Sequence, residues 1–309
     1  MKTAVIDLGT NSIRFDIYKL KTDLSIERTY RSKAMVRLGE KVFKSQKLGD
    51  KAMARTLDEF KKFADQLKLE EVDKVIAFST CALREANNSN EFVDQVFEET
   101  GIRVEVISGN QEAELISKGI LSNEILPEDG LFSLVDIGGG STEMSLCYKR
   151  TVLEQGSLAL GSSRLTQMFS SELPLQSKNR KEMRRHIRSV LEPLISKKLW
   201  KSTPSLVCSS GTAKAFMKIA VANDMAVQPL SLSDLTKIIN DLKPMSSSEL
   251  LKYPGMEPKR VDIILAGGIL LQEIARETGA KNLYVTEFNL RDGILENELE
   301  GLLSQKLRS

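Results

Sequence analysis

Two short stretches of this chain combine a carboxylate, glycine and small hydroxyl residues at one spacing. Val5-Ile6-Asp7-Leu8-Gly9-Thr10-Asn11-Ser12 is matched, 129 residues on, by Leu134-Val135-Asp136-Ile137-Gly138-Gly139-Gly140-Ser141. Each reads as a strand ending in Asp, an aliphatic residue, glycine and a small polar turn into another strand. Glycine at such a turn lets backbone N–H groups approach an anion closely and point at it. Thr10, Asn11, Ser12, Ser141 and Thr142 add donors of their own. An aspartate at a strand end can hold a hydrated divalent cation, Mg²⁺ or Mn²⁺. Beside a phosphate that carboxylate would repel its neighbour, and a bridging cation removes the conflict. One such turn is no more than a tight hairpin with capping groups. Two of them, the second carrying three consecutive glycines, point to phosphate binding.

Other phosphate loops do not fit. The pattern GxxxxGK followed by Ser or Thr is absent. The dinucleotide fingerprint fails because its third glycine would fall at Glu143, in a segment that reads as strand. The single histidine, His186, precludes a multi-histidine metal centre within one chain. It sits in a basic helical stretch with no carboxylate partner suggested for a catalytic triad.

The elements that must position these turns follow from periodicity. Strands are expected at 3–7, 13–18, 24–36, 74–78, 103–107, 131–135 and 142–148, with shorter ones at 151–158, 205–208 and 282–286. Met53, Leu57, Phe60, Ala64 and Leu67 recur at helical spacing and give an amphipathic helix over 49–69. Ser108 is a good N-cap for a helix running to 121. Further helices are expected at 161–169, 178–199, 211–222, 233–242, 258–278 and 290–303. Pro127-Glu128-Asp129-Gly130 is a polar breaker and the expected domain boundary.

Length and composition suit this scheme. The 309 residues exceed one ordinary core and fit two domains. Hydrophobic content of 41% with 28% charged residues is globular. No apolar run approaches the ~20 residues of a membrane span, and no secretory signal is readable, so a cytoplasmic protein without a membrane partner is expected. Cys81, Cys147 and Cys208 form no CxxC pair and fit buried, reduced thiols. Residues 178–201 carry nine Lys/Arg against Glu182 and Glu192 in a chain of net charge +2. Two readings of that stretch stay open: a solvated helix face, or a track for a polyanionic substrate. Nucleic acid is the weaker partner, because aromatics are only 6% and no stacking platform is visible.

The ordered motifs resemble those of the exopolyphosphatase/guanosine pentaphosphate phosphohydrolase family in its short two-domain form. That family lies within the actin, sugar-kinase and heat-shock-chaperone ATPase superfamily. Asp7 to Arg14 resembles its first phosphate motif and Asp136 to Glu143 its second. Ser79 to Asn88, Ile107 to Ile116, Leu158 to Thr166, Ser209 to Ala213, Arg260-Val261-Asp262 and Leu290-Arg291-Asp292-Gly293 match further signatures in order.

The resemblance implies an α/β fold of two actin-like (ribonuclease H-like) domains, 1–123 and 124–309, with the active site in the cleft between them. It allows the last helix to cross back onto the first domain. It implies Glu112 as the base that activates water, a step general bases accelerate ~10²–10⁴-fold, with Glu114 the nearest rival. Gln111 stands where the family often has an acid. Arg84 and Arg260 are implied catalytic phosphate partners, since guanidinium forks bind phosphate oxygens bidentately. Gly9, Thr10, Asn11, Ser12, Arg14, Gly138, Gly139, Gly140, Ser141, Thr142, Gly211 and Thr212 are implied phosphate-binding residues, and Asp7, Asp136 and Glu143 the Mg²⁺ or Mn²⁺ set. The implied substrate is polyphosphate, with guanosine pentaphosphate as the alternative and a homodimer as an allowed assembly. A metabolite kinase and a non-catalytic nucleotide-binding protein of the same superfamily remain as rivals.

Overall fold

The structure is a computed structural model and describes residues 1–21, 25–124, 127, 130–169, 172–225 and 228–306. The chain folds as two compact units. The first comprises Met1–Ser108 with the chain from Glu298 onward, and the second Gly109–Asn297.

The first unit contains β1 (Lys2–Leu8), β2 (Ile13–Leu20), β3 (Ile26–Ala34), α1 (Val42–Ser45), α2 (Asp50–Leu69), β4 (Lys74–Ser79), α3 (Cys81–Glu85), α4 (Ser89–Thr100) and β5 (Val104–Val106). Its sheet runs β3-β2-β1-β4-β5. The first three strands are antiparallel neighbours, and β4 and β5 join in parallel. Ala4, Val5 and Ile6 are all buried, as expected for a central strand covered on both faces. The apolar stripe of α2 supplies Leu57, Phe60 and Phe63 to this core, and the Phe63 ring lies 4.6 Å from that of Phe15 on β2.

The second unit contains α5 (Gly109–Asn123), β6 (Leu131–Ile137), β7 (Thr142–Tyr148), β8 (Thr151–Leu158), α6 (Ser162–Phe169), α7 (Ser177–Ile195), β9 (Ser205–Cys208), α8 (Gly211–Ala222), β10 (Leu230–Ser231), α9 (Leu232–Leu242), α10 (Ser247–Leu250), α11 (Ile264–Thr278), β11 (Asn282–Val285) and the start of α12 (Leu290–Lys306). Its sheet runs β10-β11-β9-β6-β7-β8. The antiparallel trio β6-β7-β8 and the parallel neighbour β9 repeat the arrangement β1-β2-β3 with β4. The repeat holds to the residue: Asp7 pairs with Arg14 across β1 and β2, and Asp136 pairs with Glu143 across β6 and β7.

Three sequence expectations are altered. The units divide at Ser108/Gly109 and not at 123/124. The reason lies in α5, whose Ser117 hydroxyl bonds that of Ser145 on β7 at 2.7 Å and whose Gly119 meets the backbone of α12. Glu128 and Asp129 of the expected linker lie outside the described residues. The helix expected over 258–278 is broken: Pro258 opens one 3₁₀ turn, Pro258–Arg260, and α11 starts only at Ile264. The helix expected to reach 199 ends at Ile195, two residues after Pro193, which cannot donate to the helical ladder.

Candidate active site

Each glycine turn is built the same way. Gly9 N–H donates to the Ser12 carbonyl at 3.0 Å, and Gly138 N–H to the Ser141 carbonyl at 2.9 Å. A Cβ on either glycine would meet that same carbonyl, at 3.3 Å and 3.1 Å. The turns are then braced from one side. In the first unit the Thr10 and Asn11 carbonyls accept from Gly39 and Arg37. In the second unit the Gly138 carbonyl accepts from Ser162 N–H, and the Gly139 carbonyl accepts from Ser163 and Arg164. The Gly140 carbonyl takes Arg164 Nε at 2.6 Å.

The direction of those carbonyls fixes the direction of the amides. Across a trans peptide the C=O of one residue and the N–H of the next point opposite ways. The N–H groups of Gly139 and Gly140 are therefore aimed away from α6, and neither has a backbone partner among the described residues. Amide donors aimed outward in this way form a concavity able to receive an anion. Gly161 is what lets α6 approach so closely, since a Cβ there would lie 2.5 Å from Gly139 and Gly140 backbone atoms.

Acidic groups gather beside the second turn. Glu112 on α5 is only 7% exposed and Glu143 on β7 only 3%. Burial pushes the Glu143 carboxyl well above the usual carboxylate range, and the charges of Glu112 and Asp136 push it further. Hydrogen bonds from Ser157, at 2.7 Å, and from Ser141 oppose the rise. The Asp136 carboxylate accepts from the Ser209 hydroxyl. Glu114, two residues from Glu112, faces solvent. The helix phase thus turns one of the two glutamates toward the cluster and the other away.

A second group of predicted residues meets at the start of α8. Ser210 caps this helix, accepting from Ala213 N–H at 3.1 Å. The Arg260 guanidinium lies directly on Gly211, where a Cβ would stand 2.1 Å from Nη2. Arg260 Nε donates to Glu257 at 3.1 Å. Burial alone would raise the Glu257 carboxyl, but the Lys218 hydrogen bond and the charges of Arg260, Lys218 and Lys259 outweigh it and hold Glu257 at about 2. Arg260 is thereby fixed as a cation above the α8 N-terminus and its buried Thr212.

Within the first unit, Arg14 Nη1 stands 4.0 Å from Asp7, and Arg84 Nη1 donates to the Ile107 carbonyl at 3.0 Å. Among the described residues no cluster of three or more His, Cys, Asp or Glu side chains is close enough to enclose a metal ion. The three cysteines are buried and none is in a disulfide, and burial pushes the Cys147 and Cys208 thiols up, so those two stay protonated. No described helix is long and apolar enough to cross a membrane.

Sequence reading gave no individual role to Ser157, Ser209, Gly161 or Glu257, although Ser209 and Gly161 fall within matched signatures. Ser157 was reachable, because strand register puts it directly opposite Glu143. Glu257 was reachable from its i, i+3 spacing to Arg260. Gly161 lies in the Leu158–Thr166 signature, but its role depends on how near α6 comes to the turn.

Residues 17–301 match the model of the Ppx/GppA phosphatase family. Among curated proteins, the chain is 34% identical to a bifunctional 3-dehydroquinate synthase/phosphatase of Fusobacterium nucleatum. That alignment covers 95% of this chain but 46% of that protein, so the chain spans about half the length of this relative. It is 30% identical to exopolyphosphatase 2 of Mycobacterium tuberculosis, covering 95% of this chain and 97% of that one. Among solved structures, an exopolyphosphatase from Cytophaga hutchinsonii superposes with a TM-score of 0.88 at 29% identity, over 97% of this chain and 98% of that one. A Ppx/GppA family member from Aquifex aeolicus gives 0.77 at 26% identity, over 99% and 98%.

Proposed function

This chain belongs to the Ppx/GppA phosphatase family, and on that premise we propose that it is an exopolyphosphatase releasing terminal orthophosphate from inorganic polyphosphate. The observation that carries the reading is the pairing of a buried Glu112 with a glycine turn whose Gly139 and Gly140 amides face away from α6. The names of the Mycobacterium and Cytophaga relatives support the substrate class.

In the proposed reaction a water oxygen attacks the terminal phosphorus in line with the anhydride bond. The new P–O bond forms as the bridging P–O bond breaks, and the shortened polyphosphate leaves with the bridging oxygen. Glu112 takes the water proton. Burial, with the charges of Glu112 and Asp136, raises the Glu143 carboxyl, and a cation held there would relieve that like-charge conflict. The Gly139 and Gly140 amides, with Ser141 and Thr142, receive phosphate oxygens as charge spreads over them. Gly9, Thr10, Asn11, Ser12 and Arg14 take the same role in the first unit, and Arg84 serves as a further phosphate partner. Arg260 with Gly211 and Thr212 offers a fixed cation and helix N-terminus to other phosphates.

The donor set fits a hard divalent cation. Asp136 and Glu143 are oxygen ligands whose mutual repulsion a cation would relieve. Mg²⁺ keeps several waters and uses one or two carboxylates with substrate phosphates. Asp136, Glu143 and Asp7 are the residues proposed to hold Mg²⁺ or Mn²⁺. When bound, the ion neutralises phosphate charge. Activity should vanish in excess chelator and return with either ion, and full activity in chelator would overturn the assignment. Buried free thiols support a cytoplasmic location, and a homodimer rests on the family resemblance.

The direct test is phosphate release from polyphosphate, guanosine pentaphosphate and ATP side by side. Polyphosphate is expected to give the highest kcat/KM. Preference for guanosine pentaphosphate would transfer the reading to the family's other activity. Release that depends on an added metabolite hydroxyl would make the protein a kinase.

A further inference from the structure

The basic stretch singled out in the sequence is α7, and its cations are not all solvated. Arg180, Arg184 and Arg188 recur every four residues and so share one helix face. That face meets α11 at Glu273, whose side chain is 0% exposed. Arg184 donates to Glu273 Oε1, Arg188 Nε to Oε2 at 2.6 Å, and Arg276 Nη1 to Oε1 at 3.2 Å. Arg184 Nη2 also reaches Gln272 at 2.6 Å, and Gln272 in turn bonds Thr236 on α9 at 2.7 Å. Three guanidinium groups are thus held around one buried carboxylate by a hydrogen-bonded frame that joins α7, α9 and α11.

Two more cations join them without acidic partners. Lys243, at the C-terminal end of α9, makes no side-chain hydrogen bond or ion pair among the described residues. Burial, and then the charges of Arg180, Arg184 and Arg276, disfavour its protonated form. Among the described residues the Arg180 side chain bonds only the Leu175 carbonyl. Glu277, 3.5 Å from Arg188, is the other carboxylate ion-paired to these cations among the described residues. Five cations therefore face two acids. The helix C-terminus accounts for the sign of Lys243, but not for the arginines gathered about it. Like charges inside one Debye length repel, and burial strengthens the repulsion.

A multiply charged anion would turn that repulsion into attraction. Arg188 and Arg276 keep 52% and 42% of their side chains exposed, so such a ligand can reach them. The cluster also lies apart from the α8 turn. Gly267 on α11 abuts Thr212, whereas Glu273 and Arg276 stand about 9–14 Å further along the same helix.

We infer that the α7–α9–α11 face is a second phosphate-binding site, taking an inorganic oligophosphate through Arg180, Lys243 and Arg276 while Arg184 and Arg188 anchor Glu273. The choice of ligand class rests on the proposed substrate; the site itself does not. The oligophosphate has two sources, the distal part of the chain being hydrolysed or a separate short phosphate.

The test is calorimetric titration of the whole protein, in its non-turnover Glu112→Gln form, with tripolyphosphate and with long-chain polyphosphate. Tripolyphosphate should bind at two sites per chain. Adding Lys243→Gln should weaken one of them about fivefold, and Lys243→Glu more, while the other is unchanged. In otherwise wild-type protein, a KM for long-chain polyphosphate that rises with Lys243→Gln at constant kcat assigns the site to the distal chain. An unchanged KM beside the lost tripolyphosphate site assigns it to a separate ligand. Absence of any tripolyphosphate site that weakens with the Lys243 substitutions would overturn the inference. Because binding is read without turnover, failure of the exopolyphosphatase reading would leave this result standing.

Discussion

Alanine at Gly293 should damage the enzyme by moving the helix that carries Glu112. Helices α5 and α12 touch backbone to backbone, with a glycine on each side. A Cβ on Gly293 would lie 1.8 Å from the Leu115 carbonyl oxygen, where ordinary contact begins at 3.4 Å. A Cβ on Gly119 would lie 2.6 Å from the Asn289 carbonyl and the Gly293 nitrogen. Backbone cannot yield as a side-chain tip can, so the two helices must part by more than about 1 Å. Overpacking of this kind costs about 1–3 kcal/mol, and a rigid backbone contact belongs at the upper end. Displacing a catalytic group by ~1 Å can cost ~10²-fold in rate, so kcat should fall about that much while substrate KM changes little. Gly301 is a control on the same helix, because nothing lies within 4 Å of its Cβ position. Alanine there should stabilise by up to about 1 kcal/mol through helix propensity. Urea unfolding and steady-state phosphate release on both variants test this. Equal, small effects at Gly293 and Gly301 would refute the contact argument.

The second turn and the α8 corner give further expectations. Gly161→Ala forces a Cβ to within 2.5 Å of the Gly139 and Gly140 backbone, so phosphate affinity should weaken by roughly tenfold or more, read as a raised KM; an unchanged KM would separate that turn from substrate binding. Glu257→Gln removes the carboxylate that pins Arg260 and should lower both stability and kcat/KM. The folded Glu257 value of about 2 lies below the ordinary ~4.3, so its contribution is complete above pH ~4.3 and is lost as pH falls toward 2. The stability gap between wild type and Glu257→Gln, at most about 3 kcal/mol near neutral pH, should therefore close in acid. A gap that persists at pH 2 would show that the loss comes from packing.

What could be read from the sequence was local and periodic. The duplicated turns were visible because Asp, Gly and Ser recur at one offset, and the register of β1/β2 and β6/β7 repeats that match. Alternation and helical spacing located most strands and helices. Failures came where tertiary contact overrides local signal. The 108/109 division was hidden because the attachment of α5 to β7 and α12 depends on Ser117, Ser145 and paired glycines far apart in sequence. The basic stretch left a solvated face and a polyanion track both open, yet the buried Glu273, some 85 residues beyond Arg188, claims Arg184 and Arg188. Reversing those arginines would leave Glu273 buried among added carboxylates, so such a variant would report folding and not substrate capture. Glu112 was named through the motif resemblance, and its burial beside Glu143, with Glu114 facing outward, is a feature only the packed helix reveals.

The central claim is that Glu112 takes the proton of the attacking water. Glu112→Gln keeps the size of the side chain and its hydrogen bonding and removes its basicity. The deciding measurement is phosphate release from polyphosphate by this variant with saturating Mg²⁺, alongside its equilibrium affinity for the same substrate. The account predicts a kcat lower by ~10² or more with affinity nearly unchanged. Turnover close to that of wild type, at equal affinity, would contradict it.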